Sequence, residues 1–209
     1  MNTPSLGLYV AASLALIATP GQDMIYVITR SLAQGRFAGI CSALGVCIGI
    51  LVHTALAALG VGAILHASES LFVALKFAGA AYLIYLGVKM LLSRDGRIGL
   101  GAASEALSPA ALIWQGVLSN VTNPKIVLFF FAFLPQFVDP ASEHPTRDLA
   151  FLGVLYALLA LPVKSAVGIA AGSLSERVLR NPSMVTWMNR VSGGVLVALG
   201  LRLAASDRV

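Results

Sequence analysis

"IATPGQDMIY", residues 17–26, lies inside the first long apolar run of the chain, and it places a proline, a glycine and an aspartate where a membrane-crossing helix should be uninterrupted. A proline lacks the backbone N–H and clashes with the carbonyl four residues earlier, so Pro20 frees the carbonyl of Leu16. Thr19-Pro20-Gly21-Gln22 also reads as a helix start, with Thr19 as N-cap, Pro20 at the first helical position and Gln22 placed to complete a capping box. Asp23 then falls in the first turn, where a carboxylate suits the helix dipole. The stretch is therefore read as one span made of two helices, with backbone groups exposed at the break.

The composition agrees with a chain built for lipid. Of 209 residues, 58% are hydrophobic and 11% charged, whereas a soluble domain carries about 25% charged residues. Apolar runs near the roughly 20 residues needed to cross a bilayer recur along the whole length, which predicts an all-α polytopic membrane protein. The short alternating segments of an outer-membrane barrel are absent. The first run lacks a basic leader and a cleavage site, so it is read as a retained span and not a signal peptide. Cys41 and Cys47 lie in one apolar run with no CxxC and read as small packing residues. No His, Cys, Asp or Glu cluster suggests a metal, and neither a nucleophile–base constellation nor an HExxH motif suggests an enzyme. No cofactor is expected. The net charge of +5 sits between apolar runs, where lipid headgroups and membrane insertion explain it better than nucleic acid.

Six spans fit, at about 5–29, 38–65, 70–92, 111–138, 149–174 and 185–205. With six spans, Arg30, Arg36, Lys89, Arg94, Arg97, Arg177, Arg180 and Arg190 fall on one side, and Arg147, Arg202 and Arg208 on the other. The first side is then cytoplasmic, with both termini outside. The polar connection at 93–109 divides a single transporter domain into halves of about 1–95 and 110–206. Ala18-Thr19-Pro20 matches Thr122-Asn123-Pro124, and Leu86-Gly87-Val88-Lys89 matches Leu199-Gly200-Leu201-Arg202. Halves of three spans must enter from opposite sides, which is the inverted-repeat plan of many secondary transporters.

The second half thus carries its own break at Pro124, freeing the carbonyl of Asn120. Paired, interrupted spans at equivalent positions point to a transporter's binding site. Thr19, Pro20, Gly21, Asp23, Asn123, Pro124 and Lys125 are therefore the candidate substrate-binding residues. A cation such as Lys125 is misplaced in the first turn of its own helix and calls for a partner: Asp23, an anionic ligand, or both in alternation. The plainer alternative has Asp23 only capping its helix and Lys125 reaching towards a headgroup. Lys164, just after Pro162, either answers a carboxylate across the bundle or reaches an interface, while Lys76 is expected to reach outward. His53, with an ordinary pKa of about 6.5, is a candidate proton carrier beside Asp23 and Lys164, with a structural, hydrogen-bonded histidine as the plainer reading. The small residues of 39–62, Gly79-Ala80-Ala81 and Gly193-Gly194 read as packing faces.

With these residues placed, the chain resembles the LysE/RhtB amino-acid exporter family of bacterial inner membranes. The resemblance rests on Thr19-Pro20-Gly21-Gln22-Asp23, on SLAQGRFAG at Ser31 to Gly39, on KFAGAAYLIYLG at Lys76 to Gly87, and on NPK with FAFLPQF at Asn123 to Phe137. It implies a small carrier, acting as a homodimer, that exports amino acids or close derivatives by proton antiport. Two departures stand out: Gln22 where the family commonly has a second proline, and Ile50 where many relatives carry an acidic residue. An exporter of inorganic ions with a related inverted fold is the rival reading, and a purely structural membrane subunit is a third.

Overall fold

The computed structural model describes residues 3–61, 69–92, 106–139, 142–173 and 182–205, and among these every regular element is helical. In chain order they are α1 (Thr3–Ala18), α2 (Gln22–Gln34), α3 (Arg36–Leu56, continued by a π turn Ala57–Val61), α4 (Glu69–Leu92), α5 (Pro109–Val121), α6 (Pro124–Leu128, continued by a π turn Phe129–Phe133 and a 3₁₀ turn Leu134–Phe137), α7 (Pro145–Ala171) and α8 (Pro182–Ala204). Of the predicted cytoplasmic residues, Arg94, Arg97, Arg177 and Arg180 lie outside the described residues, as does most of the 93–109 connection.

Two helical stretches, Arg36–Gly60 and Pro145–Ala171, are long and apolar enough to cross a membrane alone, and two bent pairs qualify if each is one span. The pairs are α1 with α2, bent by 50°, and α5 with the segment Pro124–Phe137, bent by 54°. Large apolar side chains such as Phe37, Trp114, Leu158 and Trp187 face outward, as expected where the surrounding medium is hydrocarbon and there is no penalty for exposing them. The chain is a multi-pass membrane protein.

Local sequence explains several element ends. Ser108 caps α5 by accepting from the Ala111 amide at 3.3 Å, with Pro109 at the first helical position. Asn123 caps α6 in the same way, its Oδ1 accepting from the Lys125 amide at 3.1 Å ahead of Pro124. Between α2 and α3 the chain turns on Gly35, whose φ of +83° is a conformation side-chain-bearing residues rarely adopt.

The start of α2 differs from the sequence expectation. Its N-cap is Gly21, with no side-chain cap bond, and Pro20 lies before the helix. Thr19 donates its hydroxyl back to the Ala15 carbonyl at 2.8 Å, and Gln22 reaches across to Thr122 Oγ1 at 3.1 Å. The Thr19 capping box is therefore not formed: the hydroxyl is taken by the last turn of α1, a competition to which Thr is prone near any helix end.

Small residues determine how closely the helices approach. α3 packs on both α5 and α7, and α4 on α8. A methyl group at Gly116 would meet the Ser42 carbonyl oxygen at 2.7 Å, one at Gly39 the Gly168 Cα at 2.9 Å, and one at Gly87 the Gly193 carbonyl oxygen at 2.6 Å. Across the bundle, Tyr9 donates to the Leu152 carbonyl at 2.6 Å and joins Phe129, Phe130, Phe133, Phe137 and Tyr156 in an aromatic core.

Candidate functional site

The two bends bring the ends of four helices together: the C-termini of α1 and α5 and the N-termini of α2 and α6. Asp23 stands in the first turn of α2 and is 1% exposed. Its Oδ1 accepts from Asn123 Nδ2, the α6 cap, at 3.1 Å, and its Oδ2 lies 2.9 Å from Lys164 Nζ of α7. Lys164 is equally buried and has no other partner among the described residues. A carboxylate at the positive end of its own helix, held by an amide and an ammonium, is well compensated for a charge inside a membrane protein.

Lys125 resolves its dipole conflict differently. The ammonium is misplaced for α6, but it extends to the C-terminus of α1, where it donates to the carbonyls of Thr19 at 3.0 Å and Leu16 at 3.3 Å. That is the negative end of a helix, where a cation is favoured. Leu16 is the residue whose carbonyl Pro20 frees by lacking an N–H, so a side chain from the second half satisfies a group exposed in the first. The sequence suggested Asp23, an anionic ligand, or both in alternation as the partner of Lys125; the direct ion pair of Asp23 is with Lys164. Gly21 makes room between Lys125 and Asp23, since a methyl group there would sit 3.1 Å from Lys125 Nζ and 3.5 Å from Asp23 Oδ1.

Thr19, Pro20, Gly21, Asp23, Asn123, Pro124, Lys125 and Lys164 thus share one place. His53 lies to the side of it, with Nε2 facing the Asn120 carbonyl oxygen at 3.3 Å and its ring 5.8 Å from that of Phe130. Asn120 is the residue whose carbonyl Pro124 frees, so each bend's freed carbonyl meets a side chain from the other half. Lys76 does not reach outward: it is buried, its ammonium 5.4 Å from the Phe77 ring centroid. Ile50 is fully packed in the core. Sequence reasoning named Asn120 for its carbonyl alone and overlooked its side chain, which is fully buried and carries unpaired atoms. The contact between Gln22 and Thr122 had no signal in the sequence either, because it exists only once the two bends meet.

Comparison with known proteins follows the same lines. Residues 14–207 match the model of the LysE type translocator family. The chain is 31% identical to an uncharacterized membrane protein of Vibrio cholerae, over 95% of each chain. It is 29% identical to the homoserine/homoserine lactone efflux protein of Salmonella typhimurium, over 95% of each chain. It is 27% identical to the leucine efflux protein of the same species, over 94% of this chain and 92% of the other. No solved structure matches significantly. The extent of the family match, together with the shared relatives, shows that this chain belongs to the LysE-type translocator family.

Proposed function

We propose that this chain is a bacterial inner-membrane secondary transporter that exports amino acids or close derivatives by proton antiport. In this reading the bundle is a single domain of six spans arranged as two inverted halves, with α1/α2 and α5/α6 as its discontinuous spans. The observation that carries it is the buried charge set between the two bends, Asp23 with Lys164 and Lys125 on the α1 carbonyls. The printed names of the Salmonella relatives, which concern efflux of homoserine, its lactone or leucine, support the substrate class. They lend nothing to an inorganic-ion exporter.

The site holds two ammonium groups and one carboxylate, so it matches a zwitterion in two ways. The substrate ammonium takes the place of Lys164 at Asp23, and the substrate carboxylate draws Lys125 from the α1 carbonyls and lies against the N-terminus of α6. After release to the outside, Asp23 takes up a proton, and entry of that proton favours return of the empty carrier. His53 and Lys164 are the groups through which the proton could pass, and binding and return both require the halves to rock about the bends.

The test is export of labelled amino acids from reconstituted vesicles under an imposed pH gradient, comparing the wild type with Asp23→Asn. Gradient-driven export of one substrate class, lost in the variant, is the expected result. Undiminished gradient-driven export by Asp23→Asn would remove Asp23 from the coupling step.

A further inference from the structure

Four hydrogen bonds run along one ridge of α2. Gln22 Nε2 donates to Thr122 Oγ1 at 3.1 Å, the Tyr26 hydroxyl to the Leu112 carbonyl at 2.7 Å, Arg30 Nη2 to Gln115 Oε1 at 3.0 Å, and Gln34 Nε2 to the Leu107 carbonyl at 3.1 Å. The donors are spaced by four residues and so share one face of the helix, and the acceptors lie on α5 or just beyond its ends. The two helices run antiparallel along this seam, with the bends at one end and the turn at Gly35 at the other. The ridge starts at Gln22, next to Asp23, and none of its four bonds is fully buried. The seam is thus a polar boundary that leads from the surface to the charge set.

This boundary can part where its neighbour cannot. Between α5 and α3, a methyl group at Gly116 would meet the Ser42 carbonyl oxygen at 2.7 Å, and one at Gly45 would strike the Ile113 carbonyl; backbones packed so closely are locked together. Across the α2–α5 seam the contacts are the ends of polar side chains, which exchange a protein partner for water at small net cost. The closed seam also leaves groups unsatisfied. Thr29 Oγ1, three residues beyond Tyr26, Ser119 Oγ, four beyond Gln115, and Gln34 Oε1 are buried with no hydrogen-bond partner among the described residues. Water entering the seam would pair them, so opening recovers part of what it costs. With α5 locked to α3, the arm that swings is α2, which has the bend at Pro20 and Gly21 at its foot. Val27 joins the main core, but Met24 and Ile28 join only a small separate cluster with Ala171. A swing gives up the bond from Ser31 to the Gly168 carbonyl and leaves Ser31 the Gly35 carbonyl of its own turn, at 3.4 Å.

We propose that the α2–α5 seam is the gate between the charge set and the side of the membrane to which α2 points, the cytoplasm by the positive-inside rule, and that Tyr26, Arg30 and Gln34 are its latch. The proposal rests on the exporter reading given above: a substrate leaving the cell enters from the cytoplasm, so its route opens there and shuts before release outside. The structure holds this gate closed. Asp23 is in the first turn beyond the hinge, so a swing of α2 opens a path to the carboxylate while moving the carboxylate itself least. Several weak bonds that form together along one ridge give a boundary with two discrete arrangements.

Ser119→Cys is the reporter, a near-isosteric change that puts a thiol where the sealed hydroxyl stands. It is made with Cys41→Ala, because Cys41 packs beside Leu112, and Cys47 remains as the buried control. A membrane-impermeant thiol reagent added to the cytoplasmic face of everted vesicles should label position 119 faster than Cys47, and adding Arg30→Ala should raise that rate about tenfold, the equivalent of one hydrogen bond to a charged group. Labelling at 119 no faster than at Cys47, a rate unmoved by Arg30→Ala, or labelling only from the opposite face overturns the proposal. Should Arg30→Ala fail to assemble, Tyr26→Phe, which removes one hydroxyl, takes its place with the same expected direction. This readout needs no transported substrate. The second arm joins Arg30→Cys to Gln115→Cys with a cleavable bifunctional thiol reagent. Amino-acid export should fall at least tenfold on bridging and return on cleavage; export by the bridged chain at the unbridged rate overturns the gate and leaves the exporter reading standing. If no amino acid moves even in the wild type, it is the exporter reading that fails, and the labelling alone decides whether the seam opens.

Discussion

At the scale of single residues, the Asp23–Lys164 pair carries the largest energetic stake. Both groups are buried, and removing one partner of such a pair leaves an uncompensated charge, at a cost of about 3 kcal/mol or more. Lys164→Met should therefore lower the thermal stability of the purified protein sharply. The double variant Asp23→Asn with Lys164→Met removes both charges and should recover most of that loss, as read by its unfolding midpoint in detergent, while remaining inactive in gradient-driven export. A double variant no more stable than Lys164→Met alone would mean that the pair is not what holds α2 against α7. The participants in this site were legible one at a time: a carboxylate and two ammonium groups inside apolar runs are conspicuous in any sequence. Their pairing was not. Asp23 and Lys125 lie in the equivalent first turns of the two halves and suggest each other, yet α7 delivers Lys164 to the carboxylate and α1 offers its carbonyls to Lys125. Such choices depend on side-chain reach across a three-dimensional junction, and no spacing along the chain encodes them. The Thr19 cap failed for a related reason, since a hydroxyl at a helix boundary has acceptors on both sides and the sequence does not rank them.

At the scale of elements, the contact between α3 and α5 depends on the absence of side chains. A methyl group at Gly45 would clash with the backbone carbonyl of Ile113, which cannot swing away as a side-chain end would. Gly45→Ala should separate the two helices and cost about 1–3 kcal/mol. Gly194 on α8 provides the control: nothing lies within 4 Å of where its methyl group would be. Gly194→Ala should leave stability unchanged or raise it by up to about 1 kcal/mol, because alanine is the better helix former. Unfolding midpoints of the two variants, measured side by side, should move in opposite directions or at least differ clearly. The glycine-rich stretches announced close helix packing in the sequence, but not which glycines are covered: Gly45 and Gly194 look alike there. The C-terminal half of α2 is fastened to α5 and to the residue just ahead of its cap by three longer-range bonds that no motif signalled, from Tyr26 to the Leu112 carbonyl at 2.7 Å, from Arg30 to Gln115 at 3.0 Å and from Gln34 to the Leu107 carbonyl at 3.1 Å.

At the scale of the whole molecule, the helical class and the membrane setting were legible because both follow from composition and run length, which need no tertiary information. Orientation is the corresponding prediction. By the positive-inside rule, the basic residues predict that α4 starts outside and ends in the cytoplasm. Cys41 and Cys47 are both buried, so a single introduced cysteine reports with little background. A membrane-impermeant thiol reagent applied to intact cells should label Ser70→Cys at the start of α4 and leave Leu92→Cys at its end untouched until the cells are opened. The reverse pattern would invert the topology, and labelling of both in intact cells would show that α4 does not cross.

The grip of Lys125 on the α1 carbonyls also bears on how this chain can change over evolutionary time. Pro20 and Lys125 lie in different halves, yet one creates the vacancy that the other fills. A descendant that lost Pro20 could close α1 onto α2 with ordinary helical bonds, and position 125 would then be released from any need for a cation. A descendant that lost the lysine first would strip the Thr19 carbonyl of its ammonium donor and leave the Leu16 carbonyl with the Thr19 amide alone, in an apolar interior. The two positions are thus bound to drift together, in a preferred order, although nothing in their separation along the chain would suggest that they are acquainted.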